Sequence, residues 1–269
     1  MTRLRDDWLK TIESDLPAYE SALRRKTGLN FVGIAAKANN LACETVLEKA
    51  AAYTIAVIPV TAGLGAIGGF SSAVAAIIRQ AGFRAFETQA TDVGGLYEAY
   101  SKGARLAFMA DDRRFIGFDL ERRRVSDNNA ATARGFMTAL EAMCPGGLAG
   151  KEVLVLGCGV IGKLAAAALI EKGAFPHFYD KTLTVKKTDG LFEAAWVSNP
   201  ADIARYPYIM DATSEGGWLK SDMIHNEAVI AAPGVPLSLD ADALARHGER
   251  LVHDVLQIGT LTMLGELLV

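Results

Sequence analysis

Val153-Leu-Val-Leu-Gly157-Cys-Gly159-Val-Ile-Gly162-Lys163 is the stretch that decides the fold of the second half of this chain. It places a G-x-G-x-x-G loop directly after an apolar, strand-like run and directly before a helical pattern, as in a dinucleotide-binding βαβ unit. Gly157 permits the tight turn, Gly159 lets the backbone approach a pyrophosphate, and Gly162 lets the helix pack against the strand. The helix starting near Val160 and Ile161 directs its free N–H groups at the phosphates.

An acidic residue follows at the spacing that this motif requires. Phe175-Pro-His-Phe-Tyr179 reads as a second strand and ends in Asp180, twenty-three residues after Gly157. A carboxylate at this position accepts hydrogen bonds from the adenosine ribose and repels a 2′-phosphate, so the sequence predicts NAD rather than NADP as the cofactor. The alternative is an ordinary glycine-rich turn between a strand and a helix.

Length and composition suggest two α/β domains. The chain has 269 residues, of which 51% are hydrophobic and 22% charged, which suits a well-buried enzyme rather than a disordered chain. The clearest break is Pro145-Gly-Gly-Leu-Ala-Gly150, which combines helix breakers with small residues. We therefore predict a substrate domain over residues 1–148 and a Rossmann dinucleotide-binding domain over residues 149–269.

Several classes of protein are disfavoured. The net charge of −3 gives no basic footprint for nucleic acid, and the apolar runs are too interrupted for a membrane span. The charged N-terminal stretch has no secretory signal pattern, so a cytoplasmic location is expected. Three scattered cysteines and four scattered histidines form neither a disulfide framework nor a metal motif, so no metal is predicted.

Periodicity predicts a helical N-terminal part followed by alternating strands and helices. Helices are expected over residues 2–25 and 29–52, and then a parallel, doubly wound core begins with the strand Thr54–Ile58. Asp92 is expected to cap a helix. The last helix, Ile258–Leu267, is expected to pack back toward the first domain.

Loops after the later strands are further candidates for cofactor binding, because ligands of open α/β sheets lie beyond the carboxyl ends of the strands. Thr213 and Ser214 follow one such strand, and Pro233 and Gly234 follow another. Ordinary turn chemistry explains both loops equally well.

In the first half, polar residues also follow a predicted strand. Asp111 and Asp112 end the run Arg105–Met109, and one of the two is expected to face a ligand while the other binds a local partner. A solvated turn is the alternative. Asn128 and Asn129 precede a helix, where one fits a capping role and the other a substrate contact. The glycine-rich loop of residues 61–69 is expected to admit a substrate carboxylate to its backbone, and a plain turn is the alternative.

Several of these first-half motifs together resemble the pyrrolysine synthase family over nearly all of residues 27–269. The motifs are Pro59-Val-Thr61, the glycine loop through Phe70, Asp92-Val-x-Gly95-x-Tyr97-Glu-Ala99, Met109-Ala-Asp-Asp-Arg113-x-Phe115, Asn128-Asn129 and Ile258-Gly259-Thr260-x-x-Met263-Leu264. They are more specific than the dinucleotide fingerprint, because common dehydrogenases do not share them.

The resemblance implies a defined reaction. The substrate is lysine acylated on its side-chain nitrogen by 3-methyl-D-ornithine, whose terminal amine-bearing carbon is oxidised with NAD, an oxidoreductase reaction on a CH–NH2 group. Ring closure then gives the pyrroline ring of pyrrolysine with release of ammonia. No nucleic-acid or membrane partner is implied, and a homodimer is left open.

The resemblance also implies site residues. Asp111 matches a substrate-contacting and catalytic aspartate, Phe70 an aromatic wall, and Asn129 a substrate-contacting asparagine, while the N-terminal helix around Leu4 resembles a lid. Ala62 occupies a substrate-loop position where archaeal relatives carry serine. Asp111 is expected to position the amine first, and to transfer a proton only if burial and Asp112 raise its pKa.

Two other functions remain open from the sequence. One is a related two-domain dehydrogenase of the shikimate or methylene-tetrahydrofolate type, which is disfavoured because the strand-end loops offer Asp111 and Asp112 but no lysine. The other is an NAD-binding sensor without catalytic activity, which the polar residues Asp111 and Asn129 disfavour.

Overall fold

A computed structural model describes residues 4–65, 67–182 and 195–269. The chain divides into two compact units: residues 1–24, 29–135 and 256–269 form the first, and residues 25–28 and 136–255 form the second. Both are α/β. The assignment of substrate binding to residues 1–148 and of cofactor binding to residues 149–269 stays a prediction.

The first unit is built around a mixed sheet. Its strands, in the order β2-β1-β3-β4-β5 among the described residues, are β1 (Thr54–Ile58), β2 (Arg84–Glu87), β3 (Leu106–Ala110), β4 (Phe115–Asp119) and β5 (Val125–Asp127). The helices are α1 (Asp6–Leu9), α2 (Ile12–Thr27), α3 (Phe31–Lys37), α4 (Cys43–Ala52), α5 (Phe70–Gln80), α6 (Asp92–Ser101), α7 (Asn128–Met143) and α10 (Gln257–Leu268), with α2 and α7 continuing into the second unit.

Strand direction changes within this sheet. β1 pairs in parallel with both β2 and β3, and this part matches the predicted alternation of strands and helices. The remaining strands run the other way: the four-residue turn after β3 is too short for a crossover, so β4 pairs with β3 in the antiparallel sense, and β5 pairs with β4 in the same way.

Two long helices predicted near the N-terminus are each broken. The stretch 29–52 forms α3 and α4 because Asn40 adopts a positive φ of 54°, which a continuing helix does not allow. The stretch 2–25 forms α1 and α2, separated at Lys10 and Thr11, and its first residues lie outside the described part of the chain.

The C-terminal helix α10 belongs to the first unit, where it packs against α3, α5 and α7. Two glycines permit this close packing. A Cβ at Gly259 would lie 2.6 Å from Thr132 Oγ1 and 2.7 Å from Asn128 Oδ1, and one at Gly265 would overlap the Ala35 carbonyl oxygen. Close helix packing thus explains the glycine in the Ile258-Gly259-Thr260 motif.

The second unit contains a parallel sheet of the dinucleotide-binding type. Its described strands are β6 (Glu152–Leu156), β7 (Phe175–Tyr179), β8 (Ala195–Trp196), β9 (Tyr208–Asp211), β10 (Val229–Ala232) and β11 (Leu251–His253), in the order β11-β10-β9-β6-β7-β8. Helices α8 (Val160–Glu171) and α9 (Ala241–His247) belong to this unit. The sheet order reverses between β6 and β9, and in such sheets ligands bind beside that reversal.

Apolar side chains on the strands form the core of the second unit. Leu154, Leu156, Ile209 and Ile230 are fully buried on the central strands β6, β9 and β10.

Within residues 4–65, 67–182 and 195–269, every helix is too short or too polar to cross a bilayer.

Candidate functional site

The loop between β6 and α8 has the conformation that the glycine pattern predicts. Gly157 has a φ of 86°, which favours glycine, and a Cβ at Gly162 would overlap the Gly157 carbonyl oxygen. Gly159 differs from both, since its φ is −75° and a Cβ there would meet no protein atom within 4 Å. The protein's own packing therefore requires Gly157 and Gly162, while Gly159 leaves open space beside the loop.

The start of α8 suits an anion. Val160 and Ile161 form its first turn, Val160 is exposed, and Gly159 provides no side-chain cap for the N–H groups. These N–H groups and the helix dipole favour a phosphate at this end. The open space at Gly159 and the uncapped helix start are what a dinucleotide pyrophosphate needs.

Asp180 lies at the end of β7 and points toward the glycine loop. Its Oδ2 accepts a hydrogen bond of 2.8 Å from the Cys158 N–H, and its Oδ1 accepts from the N–H and hydroxyl of Thr182. The carboxylate is therefore beside the loop, where the sequence predicts a ribose contact.

The structure brings the three candidate cofactor loops together. A Cβ at Gly157 would lie 3.0 Å from the Ala212 carbonyl oxygen, and one at Gly234 would overlap the Thr213 carbonyl oxygen. The Gly234 N–H also donates to the Asp211 carbonyl oxygen. Ala212 and Thr213 thus lie between the glycine loop and the loop of Pro233 and Gly234, at the carboxyl ends of β6, β9 and β10, and Ser214 follows them in the chain.

Asp211 is a buried carboxylate that the sequence analysis did not assign a role. Its Oδ1 accepts from the Thr213 N–H and, at 2.7 Å, from the Thr213 hydroxyl, while Ser238 donates to its Oδ2. Burial raises its pKa, and the bonds from Ser238 and Thr213 oppose that change. Asp211 therefore fixes the Thr213 loop. Its place at the end of β9 was visible in the sequence, but its partner Ser238 was not.

In the first unit, Asp111 forms the turn between β3 and β4. Its Oδ1 accepts hydrogen bonds from the backbone N–H groups of Arg113 and Arg114, at 2.8 and 2.7 Å. These bonds, from Arg114 first, hold the pKa of the exposed Asp111 carboxyl below its usual value. The condition for proton transfer, a raised pKa, is not met, so a base role for Asp111 is disfavoured while a role as a charged anchor is not.

Asp112 binds the glycine-rich loop instead. Its Oδ2 accepts a 2.6 Å hydrogen bond from the Leu64 N–H, and a Cβ at Gly63 would overlap that same oxygen. Gly63, with a φ of 75°, is thus required for the carboxylate to approach. Asp111 therefore stabilises its own turn, and Asp112 binds the loop of residues 61–69.

Asp92 binds the same loop from the other side. The Thr61 N–H and hydroxyl donate to its two carboxylate oxygens at 2.9 and 2.6 Å. The expectation that Asp92 caps α6 was wrong: Thr91 occupies the cap position, and Asp92 is the first helical residue, with a φ of 52°. Nothing in the sequence pattern indicates this positive φ.

Ala62 lies in this loop, Phe70 follows it, and Leu4 precedes the short helix α1. Phe70 begins α5 and packs edge to face on Phe115, with ring centroids 5.1 Å apart. Leu4 is half-buried just before α1, and a Cβ at Gly68 would lie 3.3 Å from an Asp6 carboxylate oxygen of α1. Ala62 is exposed. The short helix α1 therefore lies against the loop that carries Ala62 and leads to Phe70.

Asn129 lies in the first turn of α7. Asp127 accepts a hydrogen bond from the Asn129 N–H, and Asn128 Oδ1 accepts one from the Thr132 hydroxyl. The capping role expected of an asparagine is thus taken by Asp127. Asp127 also pairs with Arg114 of the β3–β4 turn at 3.4 Å, which links Asn129 to the turn that holds Asp111.

Comparison with known proteins identifies the family. Residues 9–126 match the family described as "Pyrrolysine biosynthesis protein PylD, N-terminal domain". The pyrrolysine synthase of Methanosarcina acetivorans is 32% identical over all of this chain and all of its own length. The chain belongs to the pyrrolysine synthase family. The enzyme of Methanosarcina barkeri is 30% identical and covers 98% of this chain and 97% of its own. This membership supports a role in pyrrolysine biosynthesis.

Solved structures of two-domain dehydrogenases are more distant. Shikimate dehydrogenase from Aquifex aeolicus is 18% identical with a TM-score of 0.47, over 79% of this chain and 88% of its own. The shikimate 5-dehydrogenase of Thermus thermophilus, solved with NADP(H) and shikimate, is 17% identical with a TM-score of 0.47, over 80% of this chain and 91% of its own.

Among the described residues, no group of three or more His, Cys, Asp or Glu side chains could hold a metal ion.

Proposed function

We propose that this protein is an NAD-dependent amine dehydrogenase that oxidises the terminal amine carbon of lysine-Nε-3-methyl-D-ornithine and yields pyrrolysine. Identity at the 30% level with two pyrrolysine synthases over nearly the whole chain carries the proposal. The meeting of the glycine loop with the loops of Thr213 and Gly234 supports a dinucleotide cofactor.

The residues of the second unit would hold the cofactor. Gly157, Gly159 and the first turn of α8, Val160 to Gly162, would bind the pyrophosphate, and Asp180 the adenosine ribose. Thr213, Ser214, Pro233 and Gly234 would contact the nicotinamide half. When bound, the nicotinamide accepts a hydride from the substrate carbon.

The residues of the first unit would hold the substrate. Asp111 stays ionised because of its two backbone hydrogen bonds, and its Oδ2 is the oxygen that we assign to the substrate amine. Phe70 would pack on the aliphatic part, Asn129 would bind a substrate amide, and the loop with Ala62 would receive the carboxylate. Leu4 and α1 would cover the loop.

The reaction balances without a further reagent. The carbon–nitrogen single bond of the terminal amine becomes an imine as two electrons and one proton leave as hydride, and a second proton is released. The ornithine α-amine then attacks the imine carbon, and expulsion of ammonia leaves the cyclic pyrroline. Because Asp111 is a weak base, its contribution is to align the reacting carbon.

A turnover assay tests the proposal. The protein is incubated with lysyl-methylornithine and either NAD or NADP, while reduced cofactor is followed by absorbance and pyrrolysine by mass spectrometry. We expect pyrrolysine and NADH in equal amounts, with NAD strongly preferred because of Asp180. Reduced cofactor formed from shikimate but not from the isopeptide would overturn the proposal, and equal use of NADP would overturn the role of Asp180.

A further inference from the structure

Two carboxylates accept hydrogen bonds from the glycine-rich loop that follows β1, one at each end of residues 61–64. Asp92 accepts both hydrogen bonds that Thr61 donates, and Asp112 accepts the bond from the Leu64 N–H. The two acids come from different segments, the start of α6 and the β3–β4 turn. The loop between them contains Ala62 and Gly63, so its conformation depends on residues that are distant in sequence.

Two residues in these contacts, Asp92 and Gly63, have a positive φ. Asp92 has a φ of 52°, a region that costs energy for residues other than glycine and persists only where surrounding structure fixes it. Its N–H donates to the Pro59 carbonyl oxygen at 2.9 Å, so both backbone and side chain of Asp92 hold the segment after β1. Gly63 also has a positive φ, and any side chain there would collide with Asp112.

The charge of Asp92 strengthens its contact with the loop. The bonds from Thr61, from its hydroxyl first, hold the pKa of the Asp92 carboxyl below its usual value, so it stays ionised at neutral pH. Hydrogen bonds to an ionised acceptor are stronger than those between neutral groups. Ionised Asp92 therefore strengthens the bonds that hold Thr61 at the start of the loop.

We infer that Asp92 and Asp112 are positioning residues, which hold the loop of residues 61–64 in the conformation that receives the substrate. This inference rests on the proposed function, because it takes the loop as part of the substrate site. Neither acid needs to touch the substrate. Ala62 has no polar side-chain group, and the loop around it is held by the bonds from Thr61 and Leu64 to these two carboxylates.

Matched variants separate a positioning role from a structural one. Asp92→Gly tolerates the positive φ but removes both bonds to Thr61, Asp92→Asn tolerates it and keeps an acceptor, and Asp112→Ala removes the bond to Leu64. The control is Asp240→Ala, because Asp240 also accepts a backbone bond, from Ala243 at 2.8 Å, but in the second unit.

We expect Asp92→Gly and Asp112→Ala to raise the KM for lysyl-methylornithine by roughly 5- to 30-fold, as expected when a loop loses one or two bonds of this strength. The KM for NAD should stay unchanged, and kcat should change much less than the substrate KM. Asp92→Asn should restore most of the substrate affinity. Asp240→Ala should lower the unfolding temperature without changing the substrate KM.

Hydrogen exchange gives a readout that does not depend on turnover. The amides of Thr61 and Leu64 should exchange faster in Asp92→Gly and Asp112→Ala respectively, and at the wild-type rate in Asp240→Ala. Unchanged exchange, or faster exchange with an unchanged substrate KM, would overturn the positioning role. A wild-type chain without turnover would instead remove the proposed function, and with it the assignment of this loop to the substrate.

Discussion

At the scale of single residues, the glycine loop of the second unit contains two glycines that the fold requires and one that it does not. Gly157 and Gly162 are fixed by a positive φ and by close packing, whereas Gly159 has an ordinary φ and open space where a side chain would lie. A ligand that approaches the loop would give Gly159 a reason, so this position tests the proposed dinucleotide site without disturbing the fold.

Gly159→Ala should therefore weaken NAD binding without destabilising the protein. The added methyl group would meet the pyrophosphate rather than any protein atom, and we expect the Kd for NAD to rise by about tenfold or more, ~1.4 kcal/mol or more. Calorimetric titration with NAD measures this. Gly248→Ala is the control, because Gly248 also has space for a Cβ and a helical φ of −55°. Equal affinities in the two variants would contradict the assignment.

Asp111 provides a second test at this scale. Asp111→Asn keeps an oxygen that can accept the bonds from Arg113 and Arg114, so the turn should survive, but the charge that we propose for binding the substrate amine is lost. The loss of a charge-assisted hydrogen bond should lower kcat/KM by one to two orders of magnitude, ~1.5–3 kcal/mol. Steady-state kinetics checks this, with the Kd for NAD as the internal control. A wild-type kcat/KM would make Asp111 a turn residue alone.

At the scale of elements, helix α6 has one side that packs on β1 and one that faces solvent. A Cβ at Gly95 would lie 2.5 Å from Ile58 Cγ2 and 2.6 Å from the Ala90 carbonyl oxygen. The neighbouring Gly94 is exposed, and the nearest atom to its Cβ would be that of Ala90 at 3.2 Å. The close packing at Gly95 sets the position of the helix start, where Asp92 lies.

The two glycines of α6 should therefore respond differently to alanine. Gly95→Ala should destabilise the protein by ~1–3 kcal/mol, because the buried methyl group has no room and β1 cannot move away without disrupting the sheet. Gly94→Ala should change stability little, since the gain in helix propensity of up to about 1 kcal/mol offsets a tight but minor contact. Urea unfolding measures both. A Gly94→Ala protein as unstable as Gly95→Ala would contradict this reading of the packing.

At the scale of the whole molecule, pH dependence of stability should carry a contribution from His247 in the second unit. The side chain is fully buried, and neither ring nitrogen has a hydrogen-bond partner among the described residues. Burial, with the nearby charges of Arg250 and Arg246, lowers its pKa, and Glu227 acts in the opposite direction. The folded protein therefore favours neutral His247, while the unfolded chain protonates it near pH ~6.5.

The sign of the effect follows from this difference. The contribution of neutral His247 to the free energy of unfolding is complete above about pH 6.5. It is lost as the pH falls toward the lower folded-state pKa, because the unfolded chain then binds a proton that the folded chain resists. Urea midpoints between pH 5 and 8 check it, with tryptophan fluorescence as the signal, since Trp196 and Trp218 lie in this unit. His247→Leu should remove this part of the slope without lowering stability at pH 8, because no hydrogen bond is lost. An unchanged slope would contradict the assignment.

Local pattern was sufficient for much of the second unit. The run Val153–Lys163 and Asp180 predict a strand, a tight turn, a helix start and an acid at the next strand end, and each lies where predicted. This succeeds because turn glycines, helix starts and strand ends are decided by neighbouring residues, and because a parallel sheet of this kind has few available topologies. The sequence also placed Thr213 and Gly234 at strand ends, but only the folded sheet shows that Thr213 lies beside both Gly157 and Gly234.

Tertiary structure alone decided the roles of the acids in the first unit. The sequence indicates that Asp111 and Asp112 end a strand and that one of them should bind a local partner, whereas in the structure both accept backbone hydrogen bonds. The sequence also mistook Asp92 for a helix cap. Asp112 binds Leu64 and Asp92 binds Thr61 because the parallel pairing of β1 with β3 and the packing of α6 bring segments distant in sequence to one loop. A sequence pattern encodes contacts within a few residues, whereas the partner of a carboxylate forty-eight residues away exists only once the sheet has formed.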